Sequence, residues 1–231
     1  MFKKLVTLFK SNVDIDEQVS QTPEVASGLL GFAIGKRIAF DSSEMMWLSD
    51  EMLVNDCPED LLIEAHSISI IGNSHNIDRF YASAEVYIQV HYLGRPCDAN
   101  IKDIAYYSYD FASVCNTSEE IAEKQALMVA PTFEYRGETF TRTFDSETAD
   151  ETALIEFNED VTNSACEVYS VYNHYMMFER ELSNGTKELL QVSLEEASGF
   201  VSYSIALGKS IRSTDLTVSL TAVHSLKEIA C

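Results

Sequence analysis

The chain has 231 residues, 46% of them hydrophobic, and its 37 acidic against 16 basic side chains give a formal net charge of -21. This composition is typical of a globular protein with a sizeable core and argues against disordered or fibrous classes. A surface this acidic repels phosphate backbones, so we expect no nucleic-acid binding.

The first ten residues predict a short amphipathic helix, because Phe2, Leu5, Val6 and Phe9 share one helical face. So short a helix needs a surface that covers its apolar face. Three surfaces remain open: a membrane, a groove in a partner protein, and the protein's own core. Membrane contact is expected only through residues 1–10. Residues 11–27 are typical of a linker, so the predicted organisation is an N-terminal segment and linker over 1–27 and a single domain over 28–231.

Alternating apolar residues predict strands after this linker, and N-cap residues before apolar runs predict short helices. In chain order we predict a strand over 37–40, a short helix capped by Asp41 or Ser42, an apolar run over 62–71, strands over 84–93 and 104–112, and a helix from Thr117 or Ser118 to Met128.

Two turn signals predict hairpins in the second half of the chain. A two-residue turn at Arg136-Gly137 places Phe133 opposite Phe140, and Asn184-Gly185 is typical of a second hairpin turn. Alternation then continues to residue 220, which indicates a meander closed by a short helix over 221–230. The predicted fold class is α+β: strand-rich, with a mainly antiparallel sheet and a few short helices.

The ligand-type residues are scattered. The five cysteines are odd in number and form no C-x-x-C pair, which is typical of reduced cytoplasmic thiols. The five histidines are single and well separated, so we predict no metal site and no cofactor. Because no signal peptide or membrane-spanning run is evident, we expect a cytoplasmic protein.

No established catalytic motif occurs in the chain, so no catalytic residue is predicted and a non-enzymatic role is favoured. Arg79 stands out as one of few arginines, placed directly before an aromatic strand, and an ion pair is its expected role. Together with Tyr81 and Gln89 it forms the functional surface that we predict on this strand pair.

Several segments together resemble a known family: GFAIGKRIAFD with MMWLSDEML, IIGNSHNIDRFYASAEVYIQV, PTFEYRGETFTRTF, and MMFERELSNGTKELLQVSLEE with VSYSIALG. They are similar to the YjfK-like family of bacterial proteins, a domain of unknown function. The resemblance runs from about Gly28 to Val218. Members of this family are often encoded beside phage-shock-protein-A-like membrane-stress proteins, so the resemblance implies an accessory role near the membrane.

Two classes of function follow. The leading hypothesis is an acidic interaction or accessory factor whose partner is another protein, basic or membrane-associated proteins being the candidates. The alternative is an enzyme or small-ligand-binding protein with a dispersed site on the strands. Polar side chains that converge in a deep pocket favour the alternative, and a convex acidic surface favours the first.

Overall fold

The computed structural model describes residues 28–40, 51–54, 60–72, 74–83, 85–143 and 153–220. Within these ranges an α-helix, α1 (Ser118–Met128), lies between the fifth and sixth strands. The strands are β1 (Lys36–Phe40), β2 (Asp60–Ile70), β3 (His75–Ala82), β4 (Val86–Leu93), β5 (Ile101–Cys115), β6 (Thr132–Tyr135), β7 (Glu138–Arg142), β8 (Ile155–Asn163), β9 (Val168–Glu181), β10 (Lys187–Ala197), β11 (Phe200–Ser210) and β12 (Leu216–Leu220).

Eight of the strands close into an antiparallel barrel. Each pairs with the next in the order β2-β3-β4-β5-β11-β10-β9-β8, and β8 pairs back with β2. Because the ring is closed, no strand of the barrel carries a full unpaired edge. β1 and β12 extend the sheet from β2, and the β6-β7 hairpin joins it through β9.

The predicted α+β class is wrong, since the described residues are mainly β with a single α-helix. Strands run longer than the sequence indicates: β5 covers Ile101–Cys115, where alternation predicts only 104–112. The layers that cover the barrel wall are built largely from strands. The helix predicted after Asp41 lies almost entirely outside the described residues. The helix predicted over 221–230 lies entirely outside them.

Both predicted hairpins are confirmed. Phe133 lies opposite Phe140, and the turn consists of Arg136 and Gly137, both with positive φ (50° and 85°), as a right-twisted two-residue hairpin requires. Asn184-Gly185 lies in the β9-β10 connection, where the Asn184 side chain accepts a hydrogen bond from the Thr186 N–H at 2.9 Å.

The helix predicted to end at Met128 is confirmed as well. Its N-cap is Thr117, whose hydroxyl accepts from the Glu120 N–H at 3.2 Å. The Glu120 carboxylate in turn accepts from the Asn116 N–H at 2.7 Å. These bonds satisfy backbone donors that the first turn of a helix leaves free.

Two parts of the barrel wall are buried on both faces. Outside, one apolar cluster packs β3, β4 and β5 against β1, β12 and residues 29–34, and another packs β9, β10 and β11 against α1, β6, β7 and residues 52–54. The strand over 84–93, with one core face expected, therefore has buried side chains on its second face too. None of the helices in the described ranges is long and apolar enough to cross a membrane.

Candidate functional site in the barrel interior

Polar and aromatic side chains fill much of the barrel interior. They come from alternate positions of the wall strands, whose other positions face the two outer clusters. The buried ones are Ser67, Ser69, Arg79, Tyr81, Tyr87, Gln89, Tyr107, Glu159, Asn173, Tyr175, Gln191 and Ser193. An eight-stranded barrel has an interior just wide enough for side chains or for one small ligand.

An ion pair lies at the centre of this interior. Arg79 on β3 and Glu159 on β8 are each 2% exposed, and Arg79 Nη1 donates to Glu159 Oε2 at 2.9 Å. Arg79 Nε donates to Gln89 Oε1 at 3.0 Å. Burial alone lowers the pKa of Arg79, but the adjacent Glu159 carboxylate holds it well above its ordinary value.

Further donors surround the Glu159 carboxylate. It accepts hydrogen bonds from the hydroxyls of Ser67 and Tyr81, and from Asn173 Nδ2 at 3.0 Å. The guanidinium of Arg79 lies 5.5 Å from the ring centroid of Phe157, within cation-π range. We call Arg79, Glu159, Gln89, Tyr81 and Asn173 the Arg79 cluster.

The three residues predicted as a functional surface are therefore brought together. Arg79, Tyr81 and Gln89 all belong to the Arg79 cluster, but they face the barrel interior and are at most 5% exposed. Arg79 does form an ion pair, and its partner is the distant Glu159 rather than its neighbour Asp78. Asp78 points to the outer face, where it contacts His66 and Tyr92.

Several buried polar atoms in the interior have no hydrogen-bond partner among the described residues. They are Ser69 Oγ, Arg79 Nη2, the hydroxyls of Tyr87, Tyr107 and Tyr169, Asn173 Oδ1 and Gln191 Oε1. Native proteins leave few such atoms, because each unpaired buried group costs about 1–3 kcal/mol. The concentration of these atoms in one interior indicates a polar site suited to a ligand or water.

A second buried ion pair, Arg180 with Glu188, lies outside the barrel and differs from the interior in that its hydrogen bonds have a structural role. Glu188 is fully buried and accepts from Arg180 Nε at 2.7 Å and from the backbone N–H groups of Leu53 and Val54 at 2.7 and 3.0 Å. Arg180 also donates to Glu138 at 2.7 Å. This pair anchors residues 51–54 to the barrel wall, and its bonds account for it as a structural element.

At one end of the barrel, several inward-facing residues are only partly buried. Glu195 on β10 lies there, and its carboxylate accepts from Ser204 at 3.1 Å. Tyr109 and Tyr169 are partly exposed beside it. Phe200, cross-strand partner of inward-facing Ala197, is 41% exposed. We call Tyr109, Tyr169, Glu195 and Phe200 the barrel mouth.

The charge of Glu195 is coupled to those of the buried tyrosines. Burial, followed by repulsion from Glu159, raises the pKa of Glu195 to about 7. The Glu195 carboxylate in turn contributes to raising the pKa of four tyrosines, after their own burial: Tyr81, Tyr87, Tyr109 and Tyr169. Glu195 is therefore coupled electrostatically to Tyr87 and to Arg79 and Glu159 of the Arg79 cluster.

Replacing Glu195 with glutamine is expected to remove a pH dependence of stability. Folding raises the pKa of Glu195 from 4.5 in the unfolded chain to about 7. Between these two pH values the folded state therefore binds a proton that the unfolded chain has released. The wild type therefore loses about 2 kcal/mol relative to Glu195→Gln between about pH 5.5 and about pH 8. Urea unfolding of both proteins across this range measures the difference, and parallel pH profiles would contradict it.

The described residues hold no group of three or more His, Cys, Asp or Glu side chains suited to a metal ion. His66 stacks on Phe80 outside the barrel, and the exposed His75 and His91 stack on each other. Cys97 and Cys115 are free, but Cys166 is disulfide-bonded, so the expectation of reduced thiols throughout is wrong at Cys166. Cysteine usage thus lends no support to a cytoplasmic location, which stays a prediction.

Sequence reasoning missed Glu159 and Asn173 of the Arg79 cluster and all four residues of the barrel mouth. Glu159 occurs in a regularly alternating strand, between the inward-facing apolar residues Phe157 and Val161. Glu195 lies between inward-facing Ser193 and Ala197, where the pattern gives no such signal. An acidic residue in an apolar alternation is the signal that could have found Glu159. Phe2, Leu5, Val6 and Phe9, predicted to contact a partner or membrane, lie outside the described residues.

Comparison with known proteins places the chain in an uncharacterised group. It is 26% identical over 205 residues to "Uncharacterized protein YjfK" of Escherichia coli (strain K12), an alignment that covers 85% of this chain and 93% of that protein. No solved structure is significantly similar to it. The resemblance to YjfK-like proteins is thereby confirmed. Since the family match extends over residues 1–217, the chain belongs to the family described as "Protein of unknown function (DUF2491)".

Proposed function

We propose that the protein binds a small polar organic molecule inside the barrel, through the barrel mouth. The observation that carries this proposal is the set of unpartnered buried polar atoms that converge on the interior from several strands. These strand-borne side chains correspond to the dispersed site that the sequence left open as an alternative. Ligand sites in barrels of this size commonly lie inside and near one end.

The charge balance of the interior supports a ligand without a large charge of its own. Arg79 and Glu159 neutralise each other, and the unpartnered atoms include donors, such as Arg79 Nη2 and the tyrosine hydroxyls, and acceptors, such as Asn173 Oδ1 and Gln191 Oε1. A molecule with several hydrogen-bonding groups would satisfy both kinds. Aromatic walls from Tyr87, Tyr109 and Tyr107 supply apolar contact area.

The test is a screen of small polar fragments by two-dimensional NMR of the full-length, isotope-labelled protein. We expect fragments whose chemical-shift changes map to residues of the barrel mouth. Tyr169→Ala should weaken their binding at least about tenfold, because the ring lines the entrance. A screen in which no fragment perturbs the mouth would contradict the proposal.

Tyr172→Ala is the matched control for this screen. Tyr172 lies on the same strand, β9, but on the outer face, where its hydroxyl donates to Glu156 at 2.7 Å. We expect it to leave fragment binding unchanged. Equal loss from both substitutions would indicate damage to the strand rather than to a site.

A role as an interaction or accessory factor, with membrane-stress proteins as partners, is the second candidate. It is favoured by Ile68 and Ile70 on the outer face of β2, which are 51% and 70% exposed. Two adjacent exposed apolar side chains on one strand face suit contact with another protein. Native mass spectrometry of the purified protein separates the two proposed roles. The interaction role requires that the wild-type protein carries the added mass of a bound partner protein and that Ile70→Lys loses this mass.

A further inference from the structure

We infer that the barrel mouth selects an organic ammonium cation, held between the Glu195 carboxylate and the surrounding tyrosine rings. This inference rests on the proposed function and adds the chemical class of the ligand. It is carried by the position of one uncompensated carboxylate among aromatic side chains at the entrance to a polar interior.

Within the part of the chain that the structure describes, Glu195 forms no ion pair with a cationic side chain of its own. The positive charge of Arg79 lowers the pKa of Glu195. Arg79 is, however, paired with Glu159 at 2.9 Å. Glu195 lies opposite Asn173 on β9 and Ser202 on β11, and it accepts from Ser204 on β11. The charged or titratable groups whose electrostatics couple to its carboxylate come from five strands: Arg79 and Tyr81 on β3, Tyr87 on β4, Tyr109 on β5, Glu159 on β8 and Tyr169 on β9. Together they leave the mouth with one net negative charge when Glu195 is ionised.

The aromatic side chains supply the second half of the site. The Tyr87 ring already contacts the Arg79 guanidinium and stacks on Tyr107, so the ring offered to a ligand is that of the partly exposed Tyr109, 5.3 Å from the Tyr87 ring centroid to centroid. Aromatic faces attract cations, and desolvated sites strengthen this attraction. The fully buried Tyr87 hydroxyl, which lacks a partner among the described residues, is available to accept from an ammonium N–H.

Other ions fit this mouth less well. Calcium and magnesium need several oxygen ligands, and the described residues bring no third acidic or histidine ligand to Glu195. An anion would meet the Glu195 carboxylate at the entrance. The exposed Phe200 and the partly exposed tyrosines favour a cation that carries an apolar group. The net charge of -21 also raises the local concentration of cations near the surface.

The test compares three probes of similar size on the full-length protein: phenethylammonium, the neutral phenethyl alcohol and the anionic phenylacetate. At about pH 8 we expect the ammonium to bind at the mouth at least about tenfold more tightly than the alcohol, and phenylacetate to bind most weakly. Glu195→Gln should reduce the ammonium affinity to about that of the alcohol. Glu196→Gln, an adjacent exposed carboxyl, should retain the ammonium preference.

A measurement on the wild type alone supplements the variants. Ammonium affinity should fall about tenfold from about pH 8 to about pH 6 as Glu195 takes up its proton, while alcohol affinity stays constant. Equal binding of alcohol and ammonium at the mouth would overturn the inference and leave the proposed function standing. Absence of all three probes from the mouth would overturn the inference, whereas the proposed function fails only if the fragment screen also finds nothing there.

Discussion

Replacing Arg79 with methionine is expected to lower the free energy of unfolding by about 3–5 kcal/mol. Methionine fills a similar volume but leaves the Glu159 carboxylate buried without its counter-ion. Glu159 retains its bonds from Ser67, Tyr81 and Asn173, and these cannot neutralise its charge. Urea unfolding followed by fluorescence measures the loss.

Arg37→Met is the matched control. Arg37 also pairs with a carboxylate, that of Asp60, but the two side chains are 41% and 44% exposed. A solvent-exposed pair contributes about 0–1 kcal/mol, so this change should be small. The double substitution Arg79→Met with Glu159→Gln should recover part of the loss, because it removes the orphaned charge. Equal effects of Arg79→Met and Arg37→Met would contradict the central role given to the buried pair.

Local signals in the sequence predicted local structure well. The hairpin at Arg136-Gly137 and the helix that begins after Thr117 depend on turn and capping residues a few positions apart, and both are confirmed. The period of two in the strands was equally readable. Barrel closure was not, because it depends on pairing between β2 and β8, which are about ninety positions apart in the chain.

The candidate site was predicted only in part, for the same reason. Arg79, Tyr81 and Gln89 lie on neighbouring strands of one hairpin, so a local pattern brought them together. Glu159 on β8 and Glu195 on β10 face the same interior as these residues only because the barrel is closed. An open sheet with one solvated face makes Arg79 a surface residue, whereas closure turns the same face inward. The surface prediction therefore depended on the topology.

Gly208 on β11 packs closely against the side chain of Tyr107. A Cβ atom there would lie 2.4 Å from Tyr107 Cδ1 and 2.6 Å from the Tyr106 carbonyl oxygen. Tyr107 is fully buried and stacks on Tyr87 with ring centroids 5.1 Å apart. Neither the ring nor the paired backbone of β5 can move away without disturbing the barrel wall.

Gly208→Ala is therefore expected to destabilise the protein by about 3 kcal/mol, although alanine has the better intrinsic propensity for ordered structure. Ser210→Ala, on the same strand but exposed, should change the unfolding free energy by no more than about 0.5 kcal/mol. Adding Tyr107→Leu to Gly208→Ala should cost less than the sum of the two single substitutions, because the smaller side chain relieves the ring contact. If the two costs are additive, the Tyr107 ring does not require glycine at this position. Urea unfolding of the wild type, Gly208→Ala, Tyr107→Leu and the double variant decides between these outcomes.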